Sequence, residues 1–289
     1  MLRWLPLAFV ACATPPVVTV ENSNDPPALP GPVLATHVTL LSTLPPPSPP
    51  KTGMASGFIS VVTGPEDASF VVTSDSGGGL RLWPTLDGSR EPLIIPTLRR
   101  VGSVDAIHDG DGIAVAVLDS LGQLEILRIA PEGQLLSDVD MALDRPVVAL
   151  GATAHGFIVM RDDQRIAAFD SHGIARGEVD PEPGVRVHNF VERGGHVLAV
   201  FDGTATHRRG RMLELDERGL AWGARTGKLA IAADQVALSP SGTRLVGVRD
   251  RLPVVLDLAT GHKVAAPAIM PMSFENDPQF LAFIDERTV

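Results

Sequence analysis

Ile113-Ala114-Val115-Ala116-Val117-Leu118 is an unbroken apolar run, opened by Asp109-Gly110-Asp111-Gly112 and closed by Asp119-Ser120. Six residues between turn formers suit a strand and are short for a helix. The run does not alternate apolar with polar, so it reads as a strand buried on both faces. Working outward, the same text recurs. Phe70-Val71-Val72-Thr73 precedes it, and Phe157-Ile158-Val159-Met160, Val197-Leu198-Ala199-Val200-Phe201, Leu245-Val246-Gly247-Val248 and Phe280-Leu281-Ala282-Phe283-Ile284 follow. The runs start at 70, 113, 157, 197, 245 and 280, a spacing of 35 to 48 residues.

A period near 42, with room for several strands per unit, is that of a β-propeller blade. Parallel α/β strands are equally apolar but need a crossover helix between them. The intervals here hold Gly-punctuated hairpins instead, and even Lys228–Leu238 reads as strand, loop, strand. A second repeat reinforces the first. Ala168-Phe169-Asp170-Ser171-His172-Gly173, Glu214-Leu215-Asp216-Glu217-Arg218-Gly219 and Val255-Leu256-Asp257-Leu258-Ala259-Thr260-Gly261 each end a strand in an acidic turn. Asp bonds its own backbone two residues on, and Gly enters the left-handed region without a Cβ clash. The expectation is all-β: a propeller of four-stranded antiparallel blades over residues 56–289. The runs give five full units and a half unit near Met272–Phe274 and Phe280–Ile284. Six blades are expected, the last completed by an N-terminal strand near Val33–Leu41. The competing reading is a chain cut from a longer product.

Two stretches carry a family resemblance. Ser74-Asp75-Ser76-Gly77-Gly78-Gly79-Leu80-Arg81-Leu82-Trp83 resembles the strand, tight turn and Trp-bearing strand of a WD40 repeat. Val236-Ala237-Leu238-Ser239-Pro240-Ser241-Gly242-Thr243-Arg244-Leu245 resembles that family's first hairpin, and Val255–Gly261 its third strand and turn. The Trp stands in one blade, and Leu256 takes its place in the later one. The resemblance implies a WD40-like propeller, whose usual role is to bind other proteins.

The N-terminus reads differently. Arg3 precedes eight uncharged, mostly apolar residues that end at Ala11, the layout of a short secretory signal over residues 1–11. It is too short to span a bilayer, which takes about 20 apolar residues. Phe9-Val10-Ala11-Cys12 resembles a bacterial lipobox, and the resemblance implies that Cys12 is lipidated. The rival reading is cleavage after Ala11-Cys12-Ala13, which would release a soluble protein. Cys12 is the chain's single cysteine, so no intramolecular disulfide forms. Ala13, where inner-membrane lipoproteins carry Asp, implies the outer membrane or the periplasmic face. Residues 12–55 are rich in proline, with Pro45-Pro46-Pro47-Ser48-Pro49-Pro50 as the densest part. They read as a semi-rigid tether carrying the strand near 33–41.

Composition narrows the function. A net charge of −10 and a pI near 5.2 oppose binding to phosphate backbones, so no nucleic acid is expected. None of the eight histidines forms a His-x-His or His-x3-His pair, and no metal is expected. Asp109–Gly112 lacks the other ligands of an EF-hand loop and reads as a hairpin. Gly77-Gly78-Gly79 joins two strands and opens no helix, so it is no phosphate cradle. No Gly-x-Ser-x-Gly elbow occurs. No catalytic residue and no cofactor are expected. Asp202–Arg211 stands apart, with Arg208, Arg209 and Arg211 in four residues of an acidic chain. Arginine forks pair with carboxylates and phosphates, so His207, Arg208, Arg209 and Arg211 are the candidate partner contacts. The reading is a monomeric, non-catalytic interaction module for an unidentified protein partner, anchored to a membrane by lipid. The alternative is a propeller enzyme or small-molecule binder with its site in the central channel.

Overall fold

The computed structural model describes residues 58–63, 70–75, 79–83, 90–95, 97, 101–203, 208–231, 236–249 and 252–265. These residues form five four-stranded antiparallel sheets, each made of four consecutive strands. The first blade holds β1 (Phe58–Thr63), β2 (Val71–Asp75), β3 (Leu80–Trp83) and β4 (Leu93–Ile95). The second holds β5 (Val101–Asp109), β6 (Gly112–Asp119), β7 (Leu124–Ile129) and β8 (Leu135–Asp140). The third holds β9 (Val147–Thr153), β10 (Gly156–Arg161), β11 (Ile166–Phe169) and β12 (Ala175–Val179). The fourth holds β13 (Val187–Arg193), β14 (His196–Phe201), β15 (Gly210–Asp216) and β16 (Gly219–Arg225). The fifth holds β17 (Val236–Leu238), β18 (Arg244–Arg249), β19 (Leu252–Asp257) and β20 (Lys263–Ala265). This is a β-propeller, and the five apolar runs from Phe70 to Val248 fall on the second strand of their blades.

The second strands are apolar throughout because each is covered on both sides. Along β6, Ile113, Val115 and Val117 pack with Phe70, Val72, Leu80 and Leu82 of the first blade. Their neighbours Ala114 and Ala116 turn the other way, onto Phe157 and Val159 of the third blade. Small side chains on one blade thus face a large ring on the next. The seam between blades three and four buries Ile158, Met160 and Ile166 against Val197, Ala199 and Leu213. The seam between blades four and five buries Leu198 and Val200 against Leu238, Leu245 and Leu256. Val246 and Val255, on the face of the fifth blade turned away from the fourth, are also fully buried. The half unit at 272–284 and the closing strand at 33–41 lie outside the described residues, as do residues 1–55.

The acidic turns close the hairpin between the third and fourth strands. The Asp170 carboxylate accepts from His172 N at 2.9 Å and Ile174 N at 3.0 Å, and Gly173 follows at φ 76°. Asp216 accepts from Arg218 N, and Asp257 from Thr260 N. Asp109–Gly112 is a hairpin turn too. Asp109 there is held by Arg128 Nε at 2.6 Å and by Ser171 of the next blade at 2.8 Å. In the first blade, Trp83 Nε1 donates to Thr73 Oγ1 at 2.9 Å, tying the third strand to the second. In Lys228–Leu238, Leu229 makes an antiparallel bridge to Arg208, and β17 is the one strand among the described residues of that stretch.

Candidate functional site

The first strand of each blade is a sheet edge, and these edges lie side by side along the propeller axis. A bulge recurs near the start of four of them. The ladder skips Ile59 in β1, Gly102 in β5, Val148 in β9 and His188 in β13. A bulged residue leaves the pleat and is re-aimed. Neighbouring blades cover both faces of β9, yet Val148 is 53% exposed. His188 is exposed and its Nδ1 lies 3.1 Å from Asp202 Oδ1.

Deeper in the channel, two carboxyls meet from blades that are not neighbours. Asp105 on β5 is hydrogen-bonded to Glu192 on β13, and Glu192 Oε2 accepts the edge N–H of Ala152 on β9 at 2.7 Å. Three blades are therefore tied through one carboxyl pair. Both groups are surrounded by protein but keep some surface open to the channel. Burial raises the Asp105 pKa well above the usual carboxyl value, and the charge of Glu192 and their hydrogen bond raise it further. Burial also pushes Glu192 up to about 7, opposed by the bonds from Ala152 and Asp105. Both carboxyls are thus pushed toward the protonated form, and the pair shares a hydrogen bond.

The end of the propeller that carries the second-to-third hairpins has two clefts, one at the hairpin of the second blade and one at the hairpin of the fourth. The larger, about 400 Å³, lies between the β6–β7 hairpin and the connection from β8 to β9. Leu121, Met141, Leu143 and Pro146 give it apolar walls, and Asp140, Asp144 and Arg145 a charged rim. Leu121 is 72% exposed at the hairpin tip. The tip is fixed, because Asp119 Oδ1 accepts from both Leu121 N and Gln123 N at 2.8 Å. The smaller cleft, about 120 Å³, is lined by Glu182, Val185, Phe201, Arg209, Gly210, Arg225 and Thr226.

The arginines singled out from the sequence do not form one patch. Phe201 N bonds Arg209 O, and Arg208 bridges Leu229, so the strand geometry of β15 continues back to Arg208. Alternation then divides the side chains. Met212 packs in the seam with blade five and Leu213 in the seam with blade three. Arg208 therefore shares the Met212 face, while Arg209 and Arg211 share the Leu213 face. Arg209 is exposed and lines the smaller cleft. Arg211 lies on β15 rather than in the loop. Its guanidinium sits 5.5 Å from the Trp222 ring centre, donates to Gly223 O at 2.9 Å and pairs with Glu182 at 3.3 Å. Arg208 Nε and Nη1 are buried with no hydrogen-bond partner. His207 and Cys12 lie outside the described residues.

Arg225 was not legible as a site residue. It stands directly opposite Arg211 across the β15–β16 ladder and ion-pairs with the same Glu182 oxygen. Oxygens of Glu125, Asp138 and Asp140, on β7 and β8, lie within 4.8 Å of one another. Thr97 donates to Glu125 at 2.7 Å. Three such oxygens supply half of a hard cation's shell or less, and Asp138 and Asp140 are exposed.

The five sheets define a β-propeller with WD40-like blades. The solved structures include one of the same architecture, the β-propeller domain of Cps50 (Swd1) from Myceliophteria thermophila. The match has a TM-score of 0.53 and 14% identity, and covers 74% of this chain and 73% of that one. At that identity the likeness is one of fold. No family model matches the chain, and no curated protein does.

Proposed function

We propose that this chain is a non-catalytic interaction module: an exported propeller anchored by lipid on Cys12, carried on the Pro-rich tether at the outer membrane or its periplasmic face, and binding a protein partner through its second-to-third hairpin end. The observation that carries the reading is Leu121, a large apolar side chain 72% exposed on a rigid turn above an open apolar cleft. Leu121 joins Met141, Leu143 and Pro146 there, and an exposed apolar patch rimmed by polar residues is characteristic of contact surfaces. A turn already fixed by Asp119 loses little entropy on binding. Arg209 presents charge at the same end, two blades on. Of the residues His207, Arg208, Arg209 and Arg211, the exposed Arg209 is the arginine proposed to reach the partner.

Tagged full-length protein recovered from native membranes, with mass spectrometry of what accompanies it, tests the proposal. A specific partner should be recovered with wild type and lost with Leu121→Asp, while the thermal midpoint stays unchanged. Recovery of the same partner with Leu121→Asp would remove this cleft from the interface.

The channel favours a second reading, a small-molecule or enzymatic site. Its support is the Asp105–Glu192 pair, because a proton-sharing carboxyl pair in a confined channel is the arrangement that acid–base sites use. Native mass spectrometry of the purified protein would favour it if a small ligand were retained by wild type and lost from Glu192→Gln.

A further inference from the structure

We infer that the cleft between blades three and four is an anion site that takes a glutamate or aspartate side chain of an acidic peptide segment. The inference rests on the interaction-module reading and names the chemistry of one contact. Arg211 and Arg225 are direct cross-strand partners, and like charges placed opposite each other repel. Glu182, from the connection between β12 and β13, relieves that repulsion. It does so through one oxygen: both guanidiniums reach Oε1. Arg209 lines the same cleft, exposed, and pairs with no carboxylate among the described residues. Two guanidiniums thus share the carboxylate of Glu182, the sole acid lining the cleft, and Arg209 adds a third positive charge to its wall. This local excess of positive charge sits in a chain of net charge −10.

The walls narrow the ligand. Phe201 and Val185 close the cleft with apolar surface, and Phe201 is held edge-on by Trp222 at 6.0 Å between ring centres. Trp222 is fixed in turn by its bond to Asp180 O at 2.8 Å. A space of about 120 Å³ with one apolar side and a guanidinium rim suits a carboxylate on a short methylene stem. Planar forks match carboxylate geometry. A membrane offers its headgroups as a flat array, which reaches a recessed seam poorly. The net charge of −10 also repels an anionic bilayer.

Glu182 gives the test its direction. It occupies the guanidiniums that an incoming carboxylate would use, so removing its charge should strengthen binding. The probe is a fluorescently labelled ten-residue peptide rich in Glu, with its Gln counterpart as control. Both are titrated by anisotropy against the full-length protein at low and at physiological salt. The site predicts binding of the Glu peptide alone, weakened by salt. Arg209→Gln combined with Arg225→Gln should weaken it about tenfold, and Glu182→Gln should tighten it severalfold. Loss of fold cannot produce a gain, so the Glu182→Gln result is independent of any destabilisation. Equal affinity across the variants would overturn the inference. So would binding of phosphatidylglycerol vesicles with no binding of the peptide. If the Leu121→Asp variant loses its partner while the peptide never binds, the module stands and this site falls.

Discussion

At the scale of single residues, the Asp105–Glu192 pair keeps a proton in the channel at a pH where free carboxyls have lost theirs. Glu192 is raised from 4.5 to about 7, and burial raises Asp105 in the same direction. Between those values the folded chain binds more protons than the unfolded one, so stability falls as the pH rises. The contribution is fully present below about 4.5 and is lost as the pH passes through 7. Asp109 and Asp257 work in the opposite sense. Burial alone would raise Asp109, but bonds from Ser171 and Arg128 outweigh it; the Thr260 bonds lower Asp257. Their contributions are present above the ordinary carboxyl range and lost on acidification. The carboxyl pair is therefore isolated by difference. Glu192→Gln keeps the shape of the protonated acid and cannot ionise. Thermal midpoints measured from pH 5 to 8 should fall by several degrees in wild type, since a domain of this size moves about 2–4 °C per kcal/mol. They should fall less steeply in Glu192→Gln, where Asp105 alone of the pair still titrates. Parallel curves for the two proteins would show that the pair does not titrate in this range.

At the scale of strands and blades, stability is concentrated in the seams. Phe157 is fully buried on β10 and packs onto the alanines of β6. Phe157→Ala should cost about 3–5 kcal/mol, read from denaturant midpoints, because small partners on the facing strand cannot grow to fill the hole. A loss below about 1 kcal/mol would mean that the second and third blades slide together to close it. The same packing explains what was legible in the sequence. The second strands announce themselves because burial on both faces leaves no place for a polar residue. The third-to-fourth turns announce themselves because Asp and Gly meet a local backbone need. The first strands do not: their edges face a channel, tolerate Asp105, His188 and Glu192, and are bulged near the start. Channel pairing is non-local as well. Asp105 and Glu192 meet because blades two and four flank the same axis, which no spacing rule encodes. Arg225 was hidden for a related reason, since the register that sets it against Arg211 depends on how β15 and β16 pair. The arginine cluster was visible as composition, but strand alternation, not composition, divides Arg208 from Arg209 and Arg211.

At the scale of the whole molecule, the proposed membrane anchor must hold an acidic propeller without a span or a basic surface. No helix among the described residues is long and apolar enough to cross one, and the apolar stretch at 1–11 falls well short of the ~20 residues a span requires. Adsorption by charge is disfavoured too, because a net charge of −10 repels the anionic surface that basic patches exploit. The lipid proposed on Cys12, the chain's single thiol, depends on neither. One acyl chain gives marginal, reversible binding, at about 0.8 kcal/mol per buried methylene, whereas two or more give a stable anchor. Wild-type protein should therefore remain in the membrane pellet after both high-salt and alkaline washes, and its mature N-terminal peptide should carry the mass of several acyl chains. Cys12→Ser should move the whole pool to the soluble fraction while leaving the thermal midpoint of the propeller unchanged, since the anchor adds nothing to the seams. Wild type released by salt alone would replace the lipid with a charged contact. Wild type found soluble, beginning just after Ala13, would make this an exported free propeller.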